Sequence, residues 1–184
     1  MSKIGQKQIN VPEGVAVVID KLKVSVKGKL GELTVNLPES LEISRAENNL
    51  VIKRLDEGKK TKSLHGLYRQ LLFNAVTGVE KYWEKKLKIT GTGYNVKLEG
   101  GNLVFRIGYS HPIKFAKVEG ISFQVIGNNG IVVQGCDKQL VGEKANQIKM
   151  LRKPDVYKGK GIHYEGEKLR IKPGKKAKTA GAPA

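Results

Sequence analysis

The sequence predicts an α+β protein made of two duplicated small domains, each a mainly antiparallel sheet covered by one helix, followed by a basic C-terminal tail. Three observations lead there. Apolar residues alternate with period two over residues 15–54 and again over 87–133. Each alternating run gives way to a helical stripe, at 64–79 and at 140–151. The charge then concentrates: residues 152–184 hold ten Lys or Arg against three acids. Period two marks strands with one covered face, and the change to period 3.6 marks the helix that covers them.

In chain order, Val15, Val17 and Ile19 form one apolar row and Leu22, Val24 and Val26 the next. Gly28 and Gly31 flank a turn, Leu33, Val35 and Leu37 follow, and Pro38 breaks the run. Leu41 and Ile43 alternate, Glu47–Asn49 turns, and Leu50–Ile52 is a further strand. Leu64, Leu67, Tyr68, Leu71, Leu72, Ala75, Val76 and Val79 then share a predicted helical stripe, ended by Gly78 and the residues after it. The second half repeats the plan. Leu87 with Ile89, Tyr94 to Leu98, Leu103 to Ile107, Ile121 to Val125 and Ile131 to Val133 read as strands, with turns at Gly100-Gly101 and Asn128–Gly130. Asp137 is a helix N-cap before Leu140, Val141, Ala145, Ile148 and Leu151. Residues 31–38 answer 101–108, 48–56 answer 129–137, and Gly66 answers Gly142, which reads as an internal duplication. The predicted domains are 1–82, 83–152 and a basic tail, 153–184, with 177–184 read as disordered.

The 184 residues carry a net charge of +17. Such an excess points to a polyanion, either nucleic acid or an anionic membrane surface. The Gly- and Pro-broken tail cannot form the basic amphipathic helix that the membrane reading needs, and no apolar run is long enough to span a bilayer. The N-terminal residues lack the apolar core of a secretory leader. Cys136 is the one cysteine, so no intramolecular disulfide forms, which fits a reducing compartment and an expected cytoplasmic location.

Catalytic and metal chemistry find little support. His65, His111 and His163 are the three histidines, and no pair, with or without Cys136, has metal-ligand spacing. His65 reads as a partly buried or flanking residue of the first helix, His111 as a loop residue, Cys136 as a small apolar one. Asp137 and its counterpart Asp56 read as helix caps rather than bases. The glycines of 91–101 lack phosphate-loop spacing and read as turns. Trp83 and Tyr82 are expected to pack between the halves, and Arg69 and Lys62 to be surface charges. No cofactor, metal or small-molecule substrate is expected.

Residues 153–164, KPDVYKGKGIHY, interleave lysine, tyrosine and glycine. Lysine supplies charge toward phosphate, tyrosine can stack, and glycine lets backbone approach closely. Together with LHGLYRQLLFNAV (64–76), GTGYNVKLEGGNLVFRIGYSHP (91–112) and the duplicated halves, this segment resembles the bacterial family of protein six of the large ribosomal subunit, over nearly the whole chain. The resemblance implies two similar α/β domains that bind 23S ribosomal RNA near the stalk base and the factor-binding region, beside other large-subunit proteins. Carried onto this chain, the RNA-binding candidates are Lys153, Tyr157, Lys158, Lys160 and Tyr164, with Gly159 and Gly161 as backbone-approach positions; the basic stretch around them adds Arg152, His163, Lys172, Lys175 and Lys176. Gly93, Tyr94, Lys144 and Lys149 form a second RNA-facing set. His163 departs from the arginine usual in the family and gives up a fixed charge; Ile171 and Pro173 also replace more basic or flexible residues. A free-standing RNA-binding or RNA-chaperone module is the alternative from another class, and a nucleic-acid-processing enzyme the third.

Overall fold

The computed structural model describes residues 4–46 and 48–174. By contact density the chain divides into two compact units, Met1–Glu84 with Gln134–Val141, and Lys85–Val133 with the chain from Gly142 onward.

The first unit holds β1 (Ile9–Asn10), β2 (Ala16–Asp20), β3 (Lys23–Gly28), β4 (Gly31–Asn36), β5 (Leu41–Ala46), β6 (Asn49–Arg54) and α1 (Lys59–Glu80). Its strands form two antiparallel sheets, ordered β2-β3-β4 and β1-β6-β5. Val17 pairs with Val26 and Val24 with Val35, so the predicted alternation lies in register on one face. Val24, Val26, Leu50, Leu72 and Val79 are at the centre of the core. The buried face of α1 runs through Thr61, His65, Leu72, Ala75, Val76 and Val79. Leu67 is not on it: at 51% exposure it faces away, because 100° per residue carries position 67 about 120° round the helix from Thr61 and Val79.

Gly78 does not end the helix, which continues to Glu80; it makes room. A Cβ there would stand 2.0 Å from the Cys136 carbonyl oxygen and 3.0 Å from Trp83 Nε1. Nor does Asp56 cap α1. Gly58 is the N-cap, and Asp56 Oδ2 accepts from Thr61 Oγ1 at 3.4 Å instead. Trp83 packs on α1, its Nε1 donating to the Asn74 carbonyl at 3.0 Å. Arg69 is more than a surface charge, since Nε and NH2 donate to the carbonyls of Lys7 and Gln8 and tie the N-terminal segment to α1.

The second unit contains β7 (Trp83–Thr90), β8 (Asn95–Glu99), β9 (Asn102–Arg106), β10 (Ile113–Phe115), β11 (Ile121–Ile126), β12 (Gly130–Gly135), α2 (Lys138–Leu151) and β13 (Gly161–Tyr164), with the first residues of β7, the end of β12 and the start of α2 counted to the first unit. The sheets are ordered β10-β9-β8 and β11-β12-β7-β13. Asp137 caps α2 as expected: its Oδ1 accepts the Gln139 N–H at 2.8 Å. Val141, Ala145 and Ile148 are the buried stripe of that helix, and Phe115 meets Phe123 edge-on at 5.8 Å.

The strand orders repeat. β2-β3-β4 and β1-β6-β5 in the first half correspond to β8-β9-β10 and β7-β12-β11 in the second. The match of β6 with β12 holds. That of 31–38 with 101–108 is displaced by one strand, since β9 answers β3 and β4 answers β10. Neighbouring hairpin strands share alternation and glycine turns, so period two alone does not distinguish them. Gly66 and Gly142 are not equivalent either, being the eighth residue of α1 and the fifth of α2. β13 has no counterpart in the first half. Sequence alternation missed it because it is four residues long and carries one buried large apolar side chain, Ile162.

Candidate nucleic-acid interface

The candidate segment leaves the end of α2 and returns to the sheet as β13. Ile162 is fully buried and pairs with Ile89, while its N–H donates to the Arg152 carbonyl at 2.9 Å. Between those anchors the chain closes a loop. Asp155 N–H donates to the Lys160 carbonyl, Gly159 N–H to the Asp155 carbonyl, and Lys158 N–H to Asp155 Oδ2, each at 2.9 Å. Lys172 N–H donates to the Val156 carbonyl at 2.8 Å and brings the following segment alongside.

Gly159 and Gly161 are both buried, with φ of 67° and 148°. For Gly161 the close approach is to the protein's own chain: a Cβ would lie 2.7 Å from the Lys153 carbonyl oxygen and from Pro154 Cα. These glycines shape the loop from inside. What the loop shows to solvent is Tyr157, 59% exposed, with Lys153 and Lys158.

A second group gathers on one side of the loop. Lys160 Nζ reaches Thr92 Oγ1 at 3.5 Å. The Tyr94 ring lies where a Cβ on Gly91 or Gly108 would stand, within 2.6 and 2.9 Å, so both glycines are cut away to seat it. Gly93 is exposed, with φ 75°. The Arg152 guanidinium lies 5.0 Å from the Tyr109 ring centroid, and Tyr109 Oη donates to the Leu151 carbonyl at 3.0 Å. Hydrogen bonding to Tyr109, then the charge interaction with Tyr94, hold Arg152 more firmly protonated than usual. Tyr109 was not among the sequence candidates. Its signal is an aromatic in the loop three residues past β9, within a basic chain.

Of the remaining candidates, Lys149 and Tyr164 meet each other. Lys149 Nζ stands 4.7 Å and Lys85 Nζ 5.8 Å from the Tyr164 ring centroid, so that ring already carries two ammonium groups. Glu167 accepts from Lys149 on both carboxylate oxygens, at 2.7 and 2.8 Å, and from the Tyr164 N–H at 3.0 Å. Lys149, then the Tyr164 N–H, hold the Glu167 carboxyl below its usual range. His163 faces Lys88 across the strand pair, and its Nδ1 makes no hydrogen bond with any described residue. Burial pushes its pKa down, against the opposing pull of Glu167. Lys144 pairs along α2 with Gln147 at 3.2 Å and Glu143 at 3.5 Å. Lys172 is exposed, and Lys175 and Lys176 lie outside the described residues, as do the last residues read as disordered.

Elsewhere, His65 is buried and its Nε2 bonds the Ile52 carbonyl at 2.9 Å. Cys136 Sγ donates to the Leu30 carbonyl at 3.1 Å, and burial raises its pKa. Among the described residues no group of three or more His, Cys, Asp or Glu side chains is arranged to hold a metal, and no helix is long and apolar enough to cross a membrane.

Fold and surface together define a tandem-repeat α+β protein whose second repeat ends in a structured basic loop. The family model for ribosomal protein L6 matches it in two segments, residues 11–81 and 90–165. Two relatives named large ribosomal subunit protein uL6, from Prochlorococcus marinus strains MIT 9211 and MIT 9313, are 45% and 44% identical over 178 residues, 97% of this chain and 99% of each relative. The chain belongs to the ribosomal protein L6 family.

Proposed function

We propose that the chain is a structural constituent of the large ribosomal subunit that binds 23S ribosomal RNA through its second repeat and the basic segment after α2. It stabilises the folded RNA near the stalk base and factor-binding region, beside neighbouring large-subunit proteins, and acts by binding rather than by catalysis. The names of its relatives support the subunit; the family resemblance of 153–164 supports the position. The observation that carries the RNA reading is the closed loop Asp155–Lys160, which holds Tyr157 and Lys158 outward while Ile162 anchors it in the sheet. Structured RNA is met mainly at its sugar–phosphate surface and at unstacked bases. Lysines on a fixed backbone neutralise phosphates without first ordering the chain, and an exposed tyrosine offers a stacking face. In this reading the domain limits fall near residues 82 and 152, with the first repeat as brace.

The test is binding of the full chain to transcribed large-subunit RNA over a salt series, with Lys158→Ala plus Lys160→Ala beside the wild type. The double variant should bind more weakly, and its log–log salt slope should flatten by roughly 0.7–0.9 per lost phosphate contact. Unchanged affinity and slope would remove the loop from the interface. Stoichiometric co-sedimentation with the large subunit separates a resident component from a free RNA-binding module, which associates only transiently.

A further inference from the structure

We infer that Asp155, the one acid in the stretch 153–164, is the positioning residue of the candidate RNA loop and strengthens RNA binding despite its charge. The inference rests on the reading above, in which Lys158 and Lys160 meet RNA. An aspartate amid Lys153, Lys158 and Lys160 on a polyanion-binding surface is unfavourable on charge alone, because it repels phosphate and offsets a lysine. Its bonding gives it a different role.

Asp155 makes three hydrogen bonds within the loop, to three successive residues. Its carboxylate oxygen Oδ2 accepts the Lys158 N–H, its carbonyl accepts the Gly159 N–H, and its own N–H donates to the Lys160 carbonyl, each at 2.9 Å. The backbone of both candidate lysines is thus fixed from one residue. A short carboxylate bonding the backbone ahead of it is the turn chemistry in which Asp and Asn excel. Pro154 adds a fixed φ just before it. Without the side-chain bond, the Lys158 N–H loses its partner, and the ammonium groups must be ordered when RNA arrives.

The two roles have opposite signs. If Asp155 were only a stray acid, Asp155→Ala would tighten RNA binding. If it positions the loop, Asp155→Ala weakens binding about fivefold, the worth of one typical hydrogen bond. Asp155→Asn separates charge from geometry, since the amide oxygen still accepts from Lys158 N–H while the charge is gone.

The experiment measures binding of full-length wild type, Asp155→Ala, Asp155→Asn and the Lys158→Ala plus Lys160→Ala double variant to large-subunit RNA. Hydrogen exchange at the Lys158 amide is followed in the free proteins. The expected result is weaker binding and faster exchange for Asp155→Ala, with wild-type exchange and equal or tighter binding for Asp155→Asn. Equal or tighter binding by Asp155→Ala overturns the inference, and so does an Asp155→Asn variant as weak as the alanine one. If the double variant binds like the wild type, the loop is not the contact and both readings fall. If it weakens while Asp155→Ala does not, only the positioning role falls.

Discussion

Lys149 and Glu167 form a two-point ion pair, the ammonium lying 2.7 and 2.8 Å from the two carboxylate oxygens. The pair holds a candidate RNA lysine in place and also neutralises it. Glu167→Gln keeps an oxygen for the Tyr164 N–H and releases the charge of Lys149. RNA affinity should rise about twofold at low salt, and the gain should shrink as salt rises, as expected of a charge effect at a partly exposed pair. A salt series of the variant against wild type reads this out; a loss of affinity at every salt would mean that the pair orders the interface instead.

Gly78 and Gly142 are both helical glycines with opposite predicted responses to alanine. A Cβ on Gly78 meets the Cys136 carbonyl at 2.0 Å, so Gly78→Ala should destabilise the protein by about 1–3 kcal/mol. A Cβ on Gly142 meets nothing within 4 Å, so Gly142→Ala should stabilise by about 0.5–1 kcal/mol. Urea denaturation of the two variants checks both signs.

Ile162 ties the basic segment to the sheet. Its truncation to alanine should cost about 2–5 kcal/mol, in line with other buried aliphatic deletions. Ending the chain at Leu151 removes β13 altogether and should lower the melting temperature of the remainder. Calorimetry of Ile162→Ala and of the truncated chain against wild type measures both losses.

His163 gives the fold an acid sensitivity. Its folded pKa lies below the ordinary value of about 6.5. The unfolded chain therefore binds a proton first, and the stability present above the ordinary value is lost as pH falls through the folded pKa. Wild-type stability should drop on acidification from neutrality, and His163→Gln should flatten that part of the profile. Glu167 contributes at lower pH: its lowered pKa adds stability above the ordinary carboxylate range, lost as pH falls through the folded value. Denaturation at stepped pH distinguishes the two.

The two-sheet-and-helix plan was legible because long alternating runs and helical stripes repeat in order, and Val24, Val26 and Leu72 sit in the core as their period requires. What stayed hidden depends on contacts distant in sequence. Leu67 reads as part of the α1 stripe by residue type alone, and its angle does not fit. Gly78 reads as a helix terminator by type, and its reason is the Cys136 carbonyl, 58 residues away in sequence. Lys158, Lys160 and Tyr157 were visible in the basic segment as types, but the bonds from Asp155 that set their backbone, and the Tyr109 stack on Arg152, arise only when the chain folds back.

β7 is an eight-residue strand, and β13 lies along one of its edges. A strand of that length left open is a template for another copy to pair with. β13 pairs with Leu87–Thr90, so the backbone of that half of β7 is already taken and the exposed edge is a four-residue strand instead. A lesion that peels β13 away would reopen that edge and release the basic loop together, and restoring the charge alone would repair neither.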